Sequence, residues 1–190
     1  MIHVLFGKSG AGKDAALKGL VECGYIPIVS TTSRPIRENE RPDIDYYFVT
    51  KEKFESMIEN NELIEYRSYN TLVNNTPDIW YYGVAKQEFD PNKNYITVLD
   101  ITGLASFIDE YGQENIVSCY IDVSDKTREE RAKLRGSFNQ TEWDRRVTDD
   151  NFKFSKRNIN ALATYVVENE NRSLESLTSE IKHLFSTHKN

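Results

Sequence analysis

Cysteine, histidine and positive charge are all in short supply in this sequence, and no apolar run is long. Of its 190 residues, two are cysteine and three are histidine. Cys23 and Cys119 stand far apart without paired spacing, which argues against a disulfide framework and suits two reduced thiols in a cytoplasmic protein. No Cys/His arrangement for nucleophilic catalysis accompanies them. His3, His183 and His188 lie near the termini without metal-ligand spacing and read as incidental. The longest apolar runs, IHVLF and YITVL among them, are of strand length and too short to cross a bilayer. No signal peptide is expected ahead of them. With 24 Lys and Arg against 30 Asp and Glu, the net charge is -6, which argues against nucleic acid or an anionic membrane as the main partner. No obligate protein partner is inferred, no internal repeat or low-complexity tract is found, and small molecules fit better.

What is present is an ordinary globular composition, 38% hydrophobic and 28% charged, at a length that suits one compact domain. IHVLF enters a glycine-rich turn that opens a helix, with Leu17, Leu20 and Val21 at helical spacing and Gly24 as its stop. YITVLD, NIVSCYIDV and YVVEN read as further strands. Between them lie the helical stretches ITGLASFIDEYG, DKTREERAKLRG, TEWDRRVTDDNFKFSKRNINALA and SLESLTSEIKHLF. Strands alternating with helices predict a three-layer α/β core with a parallel sheet covered on both faces. Residues 31 to 84 break the rhythm. YYFVT, KEKFESMIENN, ELIEYRSY, the polar segment TLVNNTPD and WYYGV together read as a small inserted α+β lobe, and a second, arginine-rich excursion runs near 126 to 148.

The stretch GKSGAGKDA carries the chemistry most openly. Gly7 to Lys13 satisfies G-x-x-x-x-G-K, in which Gly7, Gly10 and Gly12 permit a tight turn. Backbone N–H groups of Lys8, Ser9, Ala11 and their neighbours then face a phosphate, and Lys13 adds a full charge at a helix N-terminus. The other reading is a glycine-rich turn with a solvated lysine, but a first strand-to-helix junction is the context the motif requires. Asp14 stands where a Ser or Thr usually meets Mg²⁺. A carboxylate there implies direct or water-mediated Mg²⁺ ligation, or a loop that has stopped binding nucleotide.

Further along, Arg34 and Arg37 flank a proline, and DYYF follows. Guanidinium forks grip a terminal phosphate bidentately and tyrosine hydroxyls complete such a cage, although a solvated basic loop has the same composition. The run STTSRPIR…DYYFV…KEKFESMIENNELIEY resembles the GMP-binding region of guanylate kinases, and the resemblance resumes at YYGV, VLDI, the arginine-rich segment and YVVEN. It implies a P-loop nucleoside monophosphate kinase that phosphorylates GMP or dGMP with ATP and Mg²⁺. The implied core is 1–30, 85–125 and 149–190, with an NMP-binding lobe at 31–84 and a lid at 126–148. Position by position, it implies that Arg34, Arg37, Tyr46 and Tyr82 hold the acceptor phosphate while Ser30 and Glu65 meet the guanine edge. Arg131, Arg135 and Arg146 would form a clamp on the transferred phosphoryl together with Lys13, and Asn169 would lie near the adenine of ATP. Asp100, which ends a strand, would orient Mg²⁺ or its waters; an acid in that place also serves as a helix cap.

Three departures accompany the match. Val84 stands where the family has Thr or Ser, Thr102 stands where it has an acid, and an insertion of about eight residues containing LVNNTPDIW separates Glu65 from Tyr82. Each lost hydrogen bond is worth only about 0.5–1.5 kcal/mol net, so activity survives while specificity drifts. GKD and YYGV also resemble ribose 1,5-bisphosphate phosphokinases, which supply a rival acceptor. A non-catalytic guanylate-kinase-like interaction domain is the third reading, and retention of Lys13, Asp100 and the three arginines weighs against it. Asn92 begins the only NK pair, which lacks the Asp of the NKxD motif of regulatory GTPases.

Overall fold

The computed structural model describes residues 1–38, 40–73, 76–134 and 138–188. It divides into two compact units, Met1–Pro27 with Asp90–Asn190, and Ile28–Phe89. The chain begins with β1 (Ile2–Phe6), α1 (Lys13–Glu22), β2 (Ile26–Pro27), β3 (Thr31–Thr32) and β4 (Tyr47–Phe48). Next come α2 (Lys51–Glu59), β5 (Leu63–Val73), β6 (Thr76–Ala85), β7 (Tyr95–Val98), α3 (Ile101–Tyr111) and β8 (Ile116–Asp122). It ends with α4 (Asp125–Leu134), α5 (Gln140–Lys153), α6 (Lys156–Leu162), β9 (Tyr165–Glu168) and α7 (Leu174–Thr187).

The first unit holds a five-stranded parallel sheet in the order β2-β7-β1-β8-β9. β1 is buried along its whole length and β8 along all but its last residue, so apolar side chains leave both faces and both must be covered. On one face α1 and α7 bring Ala16, Leu20, Leu177, Ile181 and Phe185 against Leu5, Cys119 and Ile121. Burial of each large apolar side chain contributes about 1.5–3 kcal/mol. On the other, Phe6 meets Tyr120 at a centroid distance of 5.3 Å and Tyr120 meets Phe154 at 6.0 Å. β1 and β8 are neighbours, and the chain leaves β1 toward one edge of the sheet and β8 toward the other. That divergence opens a crevice beyond their C-terminal ends, where doubly wound sheets bind ligands.

The second unit is a four-stranded sheet in the order β4-β3-β6-β5. α2, capped by the Thr50 side chain, packs Phe54 and Met57 against Leu63, Tyr81 and Ala85 on one face. Register sets what occupies the opposite face. Glu65 lies opposite Val84, Arg67 opposite Tyr82, and Thr32 opposite Tyr82 across the other ladder, so these side chains share one side.

Two expectations change. The polar segment TLVNNTPD lies in strands on both sides of Asn74 and Asn75, which fall outside the described residues: β5 and β6 pair in register from Glu65↔Val84 to Val73↔Thr76. Ladder hydrogen bonds use the backbone, so polar side chains do not prevent them. The single helix expected from 141 to 163 is two, because Phe154 leaves helical geometry (φ -91, ψ 48) and is buried against Phe6 and Tyr120 while Ser155 caps α6. Within the arginine-rich excursion, Arg135 to Ser137 lie outside the described residues.

His3, read as incidental, is a core residue. Its ring is 2% exposed, lies 4.5 Å from Phe185 and 5.0 Å from Tyr25, and its Nδ1 is 3.1 Å from the Tyr95 carbonyl. Burial drives its pKa down from 6.5 to about 4, against the smaller opposing effect of the Tyr95 carbonyl. The unfolded chain therefore binds a proton that the folded chain refuses between those two values. Stability is full above pH 6.5 and falls as the pH drops toward 4, by about 2 kcal/mol at pH 5 for this shift. Urea unfolding at pH 7 and pH 5 is expected to show that loss in the native sequence and to lack most of it in His3→Gln.

Candidate active site

The turn from β1 into α1 is held in shape from behind. Gly10 and Gly12 have φ of +80° and +98°, in the left-handed region, and a Cβ on Gly12 would stand 2.9 Å from Asn169 Nδ2. Lys13 Nζ donates to the carbonyls of Gly7 (2.8 Å) and Lys8 (3.1 Å), Arg128 Nη1 donates to that of Ser9 (2.8 Å), and Asn169 Nδ2 donates to that of Ala11 (2.8 Å). Two of the loop amides expected to face a phosphate are engaged within the protein instead, that of Ser9 by Asp150 Oδ2 at 2.8 Å and that of Ala11 by the Lys8 carbonyl at 3.2 Å, while the positive end of α1 stands at the end of the loop. Asn169, expected beside an adenine, thus has its side-chain amide on the loop itself.

Asp14 is exposed in the first turn of α1, where a carboxylate is favoured by about 0.3–1 kcal/mol through the helix dipole. Asp100 takes the helix-cap role: its Oδ1 accepts from the Gly103 N–H at 3.0 Å, and its Oδ2 lies 3.9 Å from Lys153 Nζ. Among the described residues no group of three or more His, Cys, Asp or Glu is placed to hold a metal ion. Mg²⁺ needs one or two carboxylates when phosphates and waters complete its shell. The donor set fits Mg²⁺ only as an ion carried by phosphates, with exposed Asp14 able to meet its waters.

Of the arginines expected to form a clamp, Arg131 is connected to the loop through Asn169. Its Nη2 donates to the Asn169 carbonyl at 2.7 Å, while its buried Nη1 has no hydrogen-bond partner among the described residues. An orphaned guanidinium donor costs free energy until an acceptor arrives, which a nucleotide can supply. Arg146 is exposed and donates from Nε to Glu142 at 2.7 Å. Arg145 grips the same carboxylate, and the two arginines pull the Glu142 pKa down to about 2. Arg135 lies outside the described residues.

In the second unit Arg34 is 3% exposed and its guanidinium is fully engaged. It forms a bidentate pair with Glu40 (3.0 and 2.7 Å), donates to the Tyr82 hydroxyl (3.0 Å) and the Pro35 carbonyl (2.7 Å), and faces the rings of Tyr46 and Phe48. Glu40, which sequence reasoning passed over, also accepts from the Arg37 N–H at 2.9 Å, and its carboxyl is held below the usual range by Arg34 first. Arg37 extends an exposed side chain, and Tyr46 sits edge-to-face on Tyr82 at 5.9 Å. Glu65 is no exposed charge: its side chain is 13% accessible and its Oε2 lies 3.4 Å from Arg67 Nη2. Ser30 is half-buried and its carbonyl accepts from the Tyr47 N–H. The structure brings Arg34, Tyr46 and Tyr82 together, and puts Glu65 and Tyr82 on one sheet face.

A parallel sheet with a glycine-rich loop and trailing lysine at its switch point defines a P-loop nucleotide-binding α/β protein. The guanylate kinase family model matches residues 2–187, and the chain belongs to that family. It is 29% identical over 179 residues to the guanylate kinase of Sulfurimonas denitrificans, covering 90% of this chain and 80% of that one. A shorter stretch of 68 residues is 52% identical to guanylate kinase 2, chloroplastic/mitochondrial, of Oryza sativa subsp. japonica, covering 35% of this chain and 24% of that protein. The crystal structure of guanylate kinase from Anaplasma phagocytophilum superposes with a TM-score of 0.66 at 25% identity, covering 98% of this chain and 84% of that one.

Proposed function

We propose that this chain transfers the γ-phosphoryl group of ATP to GMP or dGMP in the cytoplasm. The observation that carries the reading is a glycine-rich strand-to-helix loop whose carbonyls are bonded by Lys13, Arg128 and Asn169, in a chain of the guanylate kinase family. Two free cysteines, and the lack among the described residues of a helix able to span a membrane, fit that setting.

Phosphoryl transfer asks little covalent chemistry of a protein; it asks for position and for positive charge where the three equatorial oxygens gather negative charge. Lys13, whose Nζ meets the Gly7 and Lys8 carbonyls, supplies a positive charge beside the phosphate oxygens. Arg131 offers its orphaned Nη1, and Arg135 and Arg146 complete the clamp, Arg146 by leaving Glu142. Arg37, Tyr46 and Tyr82 grip the acceptor phosphate, with Arg34 seated by Glu40 as the fixed post of that cage. Glu65 and Ser30 read the guanine edge. Asp14 would hold the waters of a Mg²⁺ ion carried on the ATP phosphates, which would supply further positive charge there, and Asp100 would act through the start of α3.

Lys13→Ala is expected to lower turnover by at least two orders of magnitude in a coupled ADP-release assay, consistent with the loss of a charge-stabilising donor. An acceptor panel of GMP, dGMP, AMP, dTMP and ribose 1,5-bisphosphate should show the guanine nucleotides far ahead; activity on the sugar bisphosphate alone would overturn the guanine reading. Asp14→Ser should change the Mg²⁺ concentration needed for half-maximal rate, and an unaltered titration would reduce Asp14 to a helix-start residue. Glu40→Ala leaves Arg34 without its bidentate partner and should raise the KM for GMP roughly tenfold while the KM for ATP holds.

A further inference from the structure

Arg128 is the largest fully buried side chain among the described residues, although it lies on the highly charged helix α4. Its Nη1 donates to the Ser9 carbonyl at 2.8 Å and to Asp150 Oδ2 at 3.0 Å, and its Nη2 donates to Asp125 Oδ1 at 2.6 Å. That same Asp150 oxygen accepts the Ser9 N–H at 2.8 Å. One residue of the phosphate loop therefore has its carbonyl on the cationic end and its amide on the anionic end of a single buried ion pair. Adjacent contacts tighten the junction. Lys8 Nζ donates to Asn151 Oδ1 at 2.6 Å and lies 3.6 Å from Asp125, a Cβ on Gly10 would stand 3.1 Å from the Arg128 carbonyl, and the Trp143 ring lies 5.5 Å from the Arg128 guanidinium.

A buried ion pair is a poor source of stability, because apolar residues of like volume in its place are often as stable or more so. What an apolar pair cannot supply is a donor and an acceptor aimed at one backbone residue. We propose that Arg128 and Asp150 are positioning residues that fix the Ser9 backbone and so raise the affinity of the phosphate loop for nucleotide. Anchored at both polar groups, Ser9 has no alternative backbone state to lose when phosphate binds, and the amides after it are presented in place. The proposal rests on the loop as a nucleotide site and is independent of which acceptor the enzyme uses.

The test separates positioning from mere bracing. In Arg128→Met/Asp150→Leu the volume is kept and the Ser9 anchors are lost. Calorimetric titration of the full chain with ADP is expected to show affinity reduced roughly tenfold while the thermal midpoint stays within a few degrees of the native sequence. The KM for ATP should rise with it and the KM for GMP should not. Asp150→Asn, which keeps an oxygen for the Ser9 N–H, should recover part of the affinity. Unchanged ADP affinity in the folded double variant overturns the proposal. If that variant fails to fold, Arg128→Lys and Asp150→Asn decide it: affinity falling only in step with the midpoint would mean that the pair merely braces the helices. ADP binding without GMP turnover in the native sequence would sink the kinase reading and leave this one standing.

Discussion

A backbone loop can bind an anion only if its carbonyls are held off the concave side, and the architecture of the first unit follows from that constraint. Gly7, Lys8, Ser9 and Ala11 each have their carbonyl bonded, by Lys13, Arg128 or Asn169. These three side chains come from α1, from α4 and from the end of β9, so the loop keeps its shape only when the parallel sheet has brought those elements to its switch point. The apolar strands β1 and β8 pay for that placement, since their burial on both faces fixes which helices flank the loop.

The second unit applies the same logic with side chains. Arg34 is buried, which is tolerable for a guanidinium only because Glu40, Tyr82 and the Pro35 carbonyl satisfy its donors. A group so engaged holds Glu40 and Tyr82 in place around it, while the Arg37 side chain is exposed. Glu65, paired with Arg67 on the face opposite α2, is held in a half-buried setting where a carboxylate's hydrogen bonds discriminate more strongly than in water.

Several elements were legible in the chain itself. Glycines at 7, 10 and 12 with Lys13, the apolar strands, and the helical spacing in ITGLASFIDEYG follow from local rules of backbone freedom and periodicity, and each appears where it was expected. Other features broke those rules for tertiary reasons. The polar hairpin arm pairs through its backbone, which leaves no hydrophobic signature. The break between α5 and α6 exists because Phe154 is drawn into the core. His3 looked incidental since nothing in sequence marks a lone histidine near an end as the filling between Tyr25 and Phe185.

The sequence by itself determined the class of the fold and the identity of the phosphate loop, because both depend on short-range patterns that the chain carries in order. Only the tertiary structure decided the task of each charged side chain. Arg128 and Arg131 sit three residues apart on one charged helix and look alike in sequence. One is fully buried with its Nη groups on the Ser9 carbonyl, Asp125 and Asp150, while the other reaches the Asn169 carbonyl with Nη2. Charge alone is a property of the residue; whether it braces or caps depends on which partners folding brings within hydrogen-bond reach, and those partners lie up to 143 positions away in the chain.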